Sequence, residues 1–259
     1  GTGPYNANLD PIVTNEWLEM SFAEITSLTG LGMPGVWTWG FGESWGLHYL
    51  DSVANNHNAI GRGYETFGNH TAETVERTLR SGAERFAGKP VTTREWYRAW
   101  PPDKKFMWSL RANTNYMESG CLSILDWTAK NAKELLRHFY RKGYNSWRKG
   151  VEEKPFAYVI PQDQGDRRRV SRMVNLLMSH RIEVSRAKGP IKVKEGEFPA
   201  GSFVVRLDQP YRNYAVDLLA PQKFPADALH EPYDDVSWSL PVHYGVEAAR
   251  IDDEAIKSD

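Results

Sequence analysis

Apolar and polar positions alternate differently in the two parts of this chain. The first part reads as helices and glycine-rich loops, the second as short strands and short helices. Residues 1–13 read as loop, with Gly, Pro and Asn punctuation up to Asp10-Pro11. Thr14 or Asn15 caps a predicted helix whose apolar face is Leu18, Phe22 and Ile25, ending near Gly30. The glycine-rich stretch LGMPGVWTWGFG (31–42) reads as a shaped loop around a short strand. A helix is predicted from Glu43 to Asn56, with Trp45, Tyr49, Leu50 and Val53 on one side. A strand follows over Ala59–Phe67, closed by Gly68-Asn69. Thr71–Arg80 reads as a third helix stopped by Gly82. After the break at Pro101-Pro102, the most regular helical pattern runs from Asn115 to Tyr140. Its apolar face is Leu122, Leu125, Ala129, Ala132, Leu136 and Phe139, and Gly143 ends it.

Beyond Gly150 the pattern shortens. Phe156–Ile160 is an apolar strand, 161–165 a loop, and Asp166 caps a helix with Val170, Met173, Val174 and Leu177 facing inward. Ile182 and Val184 alternate in a second strand. Together these predict a β-α-β unit whose two strands are parallel neighbours. Ile191–Val193 and Phe203–Leu207 suggest a hairpin or two short strands, and a helix runs from Pro210-Tyr211 to Leu219. The tail from Pro221 is rich in Pro and Asp, then weakly helical. The change of pattern predicts two units meeting near residues 143–155.

Composition narrows the class. The 259 residues hold 32 Lys and Arg against 33 Asp and Glu, and 41% are hydrophobic, which excludes general disorder. A net charge of −1 argues against a protein that mainly coats nucleic acid or anionic membrane. No apolar run is long enough for a membrane span. Cys121 is the single cysteine, so neither an internal disulfide nor a cysteine metal cage can form. It leaves the redox compartment undecided; inside an apolar helical stretch, it reads as a buried core thiol.

Candidate chemistry is sparse. Two His-x-x-Glu spacings occur, His70 with Glu73 and His180 with Glu183. On a helix that spacing puts both side chains on one face, as zinc can use, but neither pair comes with a third ligand. Each also has a plain explanation in the charge preferences of helix ends. There is no Gly-x-Ser-x-Gly elbow, and the loop 161–165 carries Asp163 beside Asp166, a poor phosphate cradle. Trp37, Trp39 and Trp45 suggest either a sugar-stacking platform or core packing. Glu65 is the most notable acid, at the end of a predicted strand between Tyr64 and Thr66 with Gly61, Gly63 and Gly68 nearby. Such a position suits a general base of shifted pKa, and equally a solvent-facing acid on an alternating strand.

Longer strings carry a resemblance. GTGPYNANLDP (1–11) and MPGVWTWGFGESWGLHYLDSVANNHNAIGRGYETFGN (33–69) resemble the C-terminal part of a zinc carboxypeptidase catalytic domain, in a subgroup of large bacterial carboxypeptidase A-like proteins. The likeness continues through NTNYMESG, FYRKGYNSW, AGSFVVRLDQPYRNYAVDLLAPQKFP and PYDDVSW, nearly the whole chain. In that family a His and a Glu three apart and a later His hold zinc, which polarises the scissile carbonyl and activates water, while a separate Glu acts as general base. By resemblance Glu65 inherits the base role. The family's zinc ligands lie upstream of the matching segment, and both His-x-x-Glu pairs fall after Glu65, the wrong order.

The resemblance therefore implies an α/β protein in three parts. Residues 1–85 would be the end of the carboxypeptidase-like domain, 86–150 a helical connector, and 151–259 a flavodoxin-like module similar to class I glutamine amidotransferases. The nucleophilic Cys of that class has no match, so amidotransferase activity is not expected. The start at Gly1-Thr-Gly-Pro, without Met, fits a piece of a larger protein. Zinc is expected in the parent and none in this chain, which is expected to be inactive alone. Partners would be the upstream half of the catalytic domain and, for the parent, a peptide substrate; the compartment, periplasmic or secreted among others, stays open. A non-catalytic peptide- or glycan-binding module is the alternative.

Overall fold

Asp10 and Pro11, rather than Thr14 or Asn15, start the first helix. Asp10 Oδ1 accepts the Ile12 N–H at 2.9 Å, and proline suits a first turn that has no partner for its N–H. The structure is a computed structural model that describes residues 4–38, 45–46, 49–79, 85–86, 89–228 and 239–258. Trp39, Glu43, Gly82 and the string PYDDVSW lie outside the described residues. In chain order the elements are α1 (Pro11–Gly30), α2 (Leu50–Asn56), β1 (Val75–Thr78), β2 (Arg85–Phe86), β3 (Lys89–Pro90), β4 (Lys105–Trp108), α3 (Leu110–Lys130) and α4 (Ala132–Glu152). Then come β5 (Ala157–Ile160), α5 (Arg167–Ser179), β6 (Ser185–Arg186), β7 (Ile191–Val193), β8 (Gly196–Phe198), β9 (Phe203–Arg206), α6 (Arg212–Leu219), α7 (Leu240–Tyr244) and β10 (Ala249–Ile251). The general class is α/β.

These elements form two compact units that interleave along the chain. One gathers residues 1–2, 14–42 and 62–135; the other gathers 3–13, 43–61 and 136–259. The units cut across the linear segments 1–85, 86–150 and 151–259.

In the first unit the expected helix over Thr71–Arg80 is replaced by β1, paired antiparallel with β4 in the register Val75↔Trp108 to Thr78↔Lys105. Val75 and Arg77 turn inward and Glu76 and Thr78 outward, a period of two that the β-branched residues favour over a helix. The single helix expected over Asn115–Tyr140 is two, α3 and α4, separated at Asn131, whose backbone N–H and side chain both donate to the Trp127 carbonyl. The expected apolar face is also reversed. Leu122 and Leu125 are exposed, Cys121 is exposed rather than a core thiol, and Gly120 is the buried position of α3. A Cβ on Gly120 would come within 2.9 Å of Glu24 Oε1, and Ser123 Oγ donates to Ser27 Oγ at 2.8 Å. Small and polar residues let α3 approach charged groups that need partners, and this outweighs burial of the leucines. On α1 the inward side likewise carries Glu16, Met20, Glu24, Ile25 and Leu28, while Leu18 and Phe22 are exposed.

The second unit is built on the sheet β10-β5-β9-β6, in which every ladder is antiparallel. β5 and β6 run in the same direction across the α5 connection, but β9 lies between them, so they are not the expected neighbours. The reason is in the apolar strands. β9, with Val204 and Val205 buried, and β10, with Ile251, take both edges of the fully buried β5. α5 matches expectation: Asp166 caps it by accepting the Arg168 N–H at 2.9 Å, and Val170, Met173, Val174 and Leu177 face the core. Ile191–Val193 pairs with β8 instead of β9. Gly143 lies inside α4 rather than ending it.

Gly150 fixes where α4 meets the sheet end. A Cβ there would lie 1.7 Å from the Leu207 carbonyl oxygen and 2.6 Å from Asp208 N, contacts only a hydrogen avoids. Gly150→Ala is therefore expected to cost at least about 3 kcal/mol, because backbone must move rather than a flexible side chain. Chemical denaturation measures this; an unchanged midpoint would contradict the packing.

Candidate functional site

Glu65 lies on a segment of the first unit that belongs to no helix or strand, in place of the predicted strand over 59–67. The predicted alternation survives without a sheet. Arg62, Tyr64 and Thr66 are half-buried, while Gly63, Glu65 and Phe67 are exposed. The segment is anchored on both sides of Glu65. Upstream, Arg62 Nη1 donates to Glu24 Oε2 of α1 at 2.8 Å, with both side chains largely shielded from solvent. Downstream, Asn69 Oδ1 accepts from Asn113 Nδ2 of α3 at 2.6 Å, and the Phe67 ring lies 5.6 Å from both Phe106 and Trp108 of β4. Glu65 is thereby held toward solvent on a fixed piece of backbone.

Beneath it, Arg62 stands 5.6 Å from the Tyr64 ring, and Tyr64 lies against Gly120. Burial pushes the Tyr64 hydroxyl up to about 12, and the neighbouring Glu24 charge adds to this. Burial also raises Glu24, while Arg62 pulls it back. At neutral pH the arrangement is a neutral phenol beside a carboxylate–guanidinium pair. It stiffens the segment and offers no second exposed acid to Glu65.

The His-x-x-Glu pairs do not become metal sites. His70 and Glu73 are exposed on irregular chain before β1, not on a helix face. His180 ends α5, and its carbonyl accepts from His57 Nε2 at 2.8 Å; its ring stands edge-on to Tyr214, while Glu183 is exposed. Burial, then His57, lowers the His180 pKa. Among the described residues no three His, Cys, Asp or Glu side chains converge as a metal ion would require. Among the described residues, no ligand set fits the zinc that the resemblance implies. Of the tryptophans weighed as a platform, Trp37 and Trp45 fall in different units, and Trp39 lies outside the described residues. Trp45 is buried in the second unit, its Nε1 donating to the Pro4 carbonyl at 2.8 Å, whereas Trp37 belongs to the first and is exposed beside Arg98. Trp96 and Trp100 are also exposed there, joined to the Trp37 segment by Gly35 N–H to Trp100 O and Thr38 N–H to Tyr97 O.

The acid that sequence reasoning missed is Asp217. It stands in α6, a helix buried at every residue, and receives Asn6 Nδ2 at 3.1 Å and Asn8 Nδ2 at 2.5 Å. Burial pushes its carboxyl up to about 7, against hydrogen bonds from Asn8, Asn6, Gln222 and Asn56 that lower it. One acid inside the apolar run AVDLLA was the available signal. The nearby polar cavity of about 10 Å3, lined by Asp10, Asn56 and Ser146 among others, has room for one water but no substrate. Asp217 is a structural acid.

Because its folded pKa lies above the unfolded value near 3.8, the folded state keeps a proton that the unfolded chain releases between about pH 4 and 7. Stability from this group is full below that window and falls as pH rises through it, by up to about 4 kcal/mol. Asp217→Asn removes the ionisation at similar size. The stability difference, wild type minus variant, should therefore fall from pH 4 to pH 7 in denaturant titrations; parallel profiles would contradict it.

Compared with known proteins, the chain matches no family model, no curated protein and no solved structure.

Proposed function

We propose that this chain carries the later part of a zinc-dependent carboxypeptidase-like catalytic domain, with Glu65 as its general base, followed by a module of flavodoxin-like ancestry. The parent reaction is hydrolysis of a C-terminal peptide or amide bond. The observation that carries this reading is the placement of Glu65: a carboxylate presented to solvent on backbone clamped by Arg62–Glu24 on one side and Asn69–Asn113 on the other. A general base needs such fixed presentation, because proton abstraction requires hydrogen-bond reach to water or substrate. The resemblance of residues 1–11 and 33–69 supplies the reaction class. For residues 151–259 the support is the common direction of β5 and β6 across α5; the antiparallel ladders to β9 and β10 are additions to that pattern.

The described residues offer no metal-holding group, so no zinc step is assigned to them. The ligands belong to an upstream half of the catalytic domain, which is the expected partner. Glu65 would take the proton of the attacking water and return it to the leaving amine.

A second reading, a non-catalytic peptide- or glycan-binding module, is favoured by the exposed Trp37, Trp96 and Trp100. One experiment separates the two. The chain is combined with an upstream carboxypeptidase-like segment and assayed for release of C-terminal residues from peptides. The catalytic reading expects turnover, reduced roughly 10²–10⁴-fold in Glu65→Gln with substrate binding retained. Full activity in Glu65→Gln would remove Glu65 from the reaction. Saturable quenching of tryptophan fluorescence by peptide or glycan without turnover would favour the binding module.

A further inference from the structure

Within the second unit, both ring nitrogens of His57 face carbonyl oxygens. Nδ1 lies 2.7 Å from the Val53 carbonyl in the last turn of α2, and Nε2 lies 2.8 Å from the His180 carbonyl at the end of α5. A carbonyl oxygen only accepts, so each contact needs an N–H on the ring. A neutral imidazole carries one N–H, whichever tautomer it takes, and the imidazolium carries two. A bare ring nitrogen at either distance would set its lone pair against those of the carbonyl. The surroundings favour the charged form. Both carbonyls stand at helix C-terminal ends, where orphan acceptors and the negative end of the helix dipole welcome a cation. The titratable groups that face the ring are Tyr211 before α6, Tyr214 within it, and His180, with ring centroids 4.9, 5.2 and 5.8 Å away. Burial, with Asp217 adding to it, raises the Tyr214 hydroxyl, so this phenol stays neutral. Burial, then His57, disfavours protonation of His180, so the second imidazole does not compete for the charge. Arg181, beside His180 in the chain, is exposed.

The backbone marks the same place. Among the described residues, the non-glycine positions with positive φ are Asn58 at 63° and Arg181 at 62°, directly after His57 and His180. An arginine in the left-handed region is strained and persists only where its surroundings hold it. We propose that His57 is a proton-operated clasp that ties the end of α2 to the end of α5. Protonated, it donates to both carbonyls; deprotonated, it keeps one and repels the other. The closed clasp holds one proton more than the open one, so rising pH opens it. The ring is half-buried, which leaves it within reach of solvent protons. Residues 43–61 belong to this unit, while 14–42 and 62–135 on either side belong to the first. The clasp is therefore one of the contacts that keep 43–61 with 136–259, and opening it loosens that hold.

The test is nitrogen NMR of the full chain labelled at its histidine rings, with the His57 signals assigned by their loss in His57→Gln. Histidine changes charge between about pH 5 and 8. The expected result is two N–H groups on the His57 ring at the acid end of that range and one at the alkaline end. Hydrogen exchange, corrected for the intrinsic effect of pH, reads the consequence. The His57 and Ala59 amides, which donate to carbonyls of α2, should lose protection about tenfold across the range, as one charge-assisted bond is given up. That loss should persist in Asp217→Asn, which removes the buried acid from the titration, and vanish in His57→Gln. Should His57→Gln not fold, through-bond assignment of the wild-type ring carries the test. A His57 ring with one N–H throughout, protection indifferent to pH, or a loss that disappears in Asp217→Asn or survives in His57→Gln would each overturn the proposal.

Discussion

A buried carboxylate with its own set of amides holds the second unit together. Asp217 sits in a helix with no exposed residue and would be intolerable there as a bare charge. Asn6 and Asn8 reach it from the opposite end of the chain, and Asn56 reaches it from the end of α2. That requirement explains why residues 3–13 and 43–61 belong to the same compact unit as 136–259. Removing the early segments would take away three of the four amide donors, leaving Gln222. The cost of a lost partner in a dry site, more than any gain from burying carbon, makes the early and late parts of the chain interdependent.

The first unit answers the same problem differently. Glu24 faces inward on α1 and is matched by Arg62, while α3 narrows at Gly120 and Ser123 to let the pair and Tyr64 fit. The consequence reaches the surface, because the Arg62 clamp is also one of the two anchors that hold the Glu65 segment. A polar contact that costs desolvation thus fixes the position of a solvent-facing acid. The leucines of α3 are left outside by the same choice.

How much of this was legible in the sequence depended on what drives each element. α5 was readable because its burial is apolar and periodic and Asp166 announces the helix by chemistry, while the strand at 157–160 and α6 were readable as short, largely apolar runs. The faces of α1 and α3 were misread because their inward sides are chosen by long-range polar pairs such as Glu24–Arg62 and Ser123–Ser27, which leave no local periodicity. β1 was hidden by residues acceptable in a helix until Trp108 and Phe106 supply a partner strand. The three-residue β10 carries too little pattern to be seen before β5 pairs with it. Glu65 was legible as an acid worth notice, and its alternation was readable. Its anchoring was not, since both clamps come from distant elements.

Under the proposed function, Glu65 works with a metal whose ligands lie elsewhere. Metal content after purification tests it most directly, measured for the chain alone and for the chain assembled with an upstream segment bearing a His-x-x-Glu pair and a later His. Zinc at one equivalent is expected only in the assembly. One equivalent of zinc in the chain alone, lost when His70 or His180 is replaced, would contradict it.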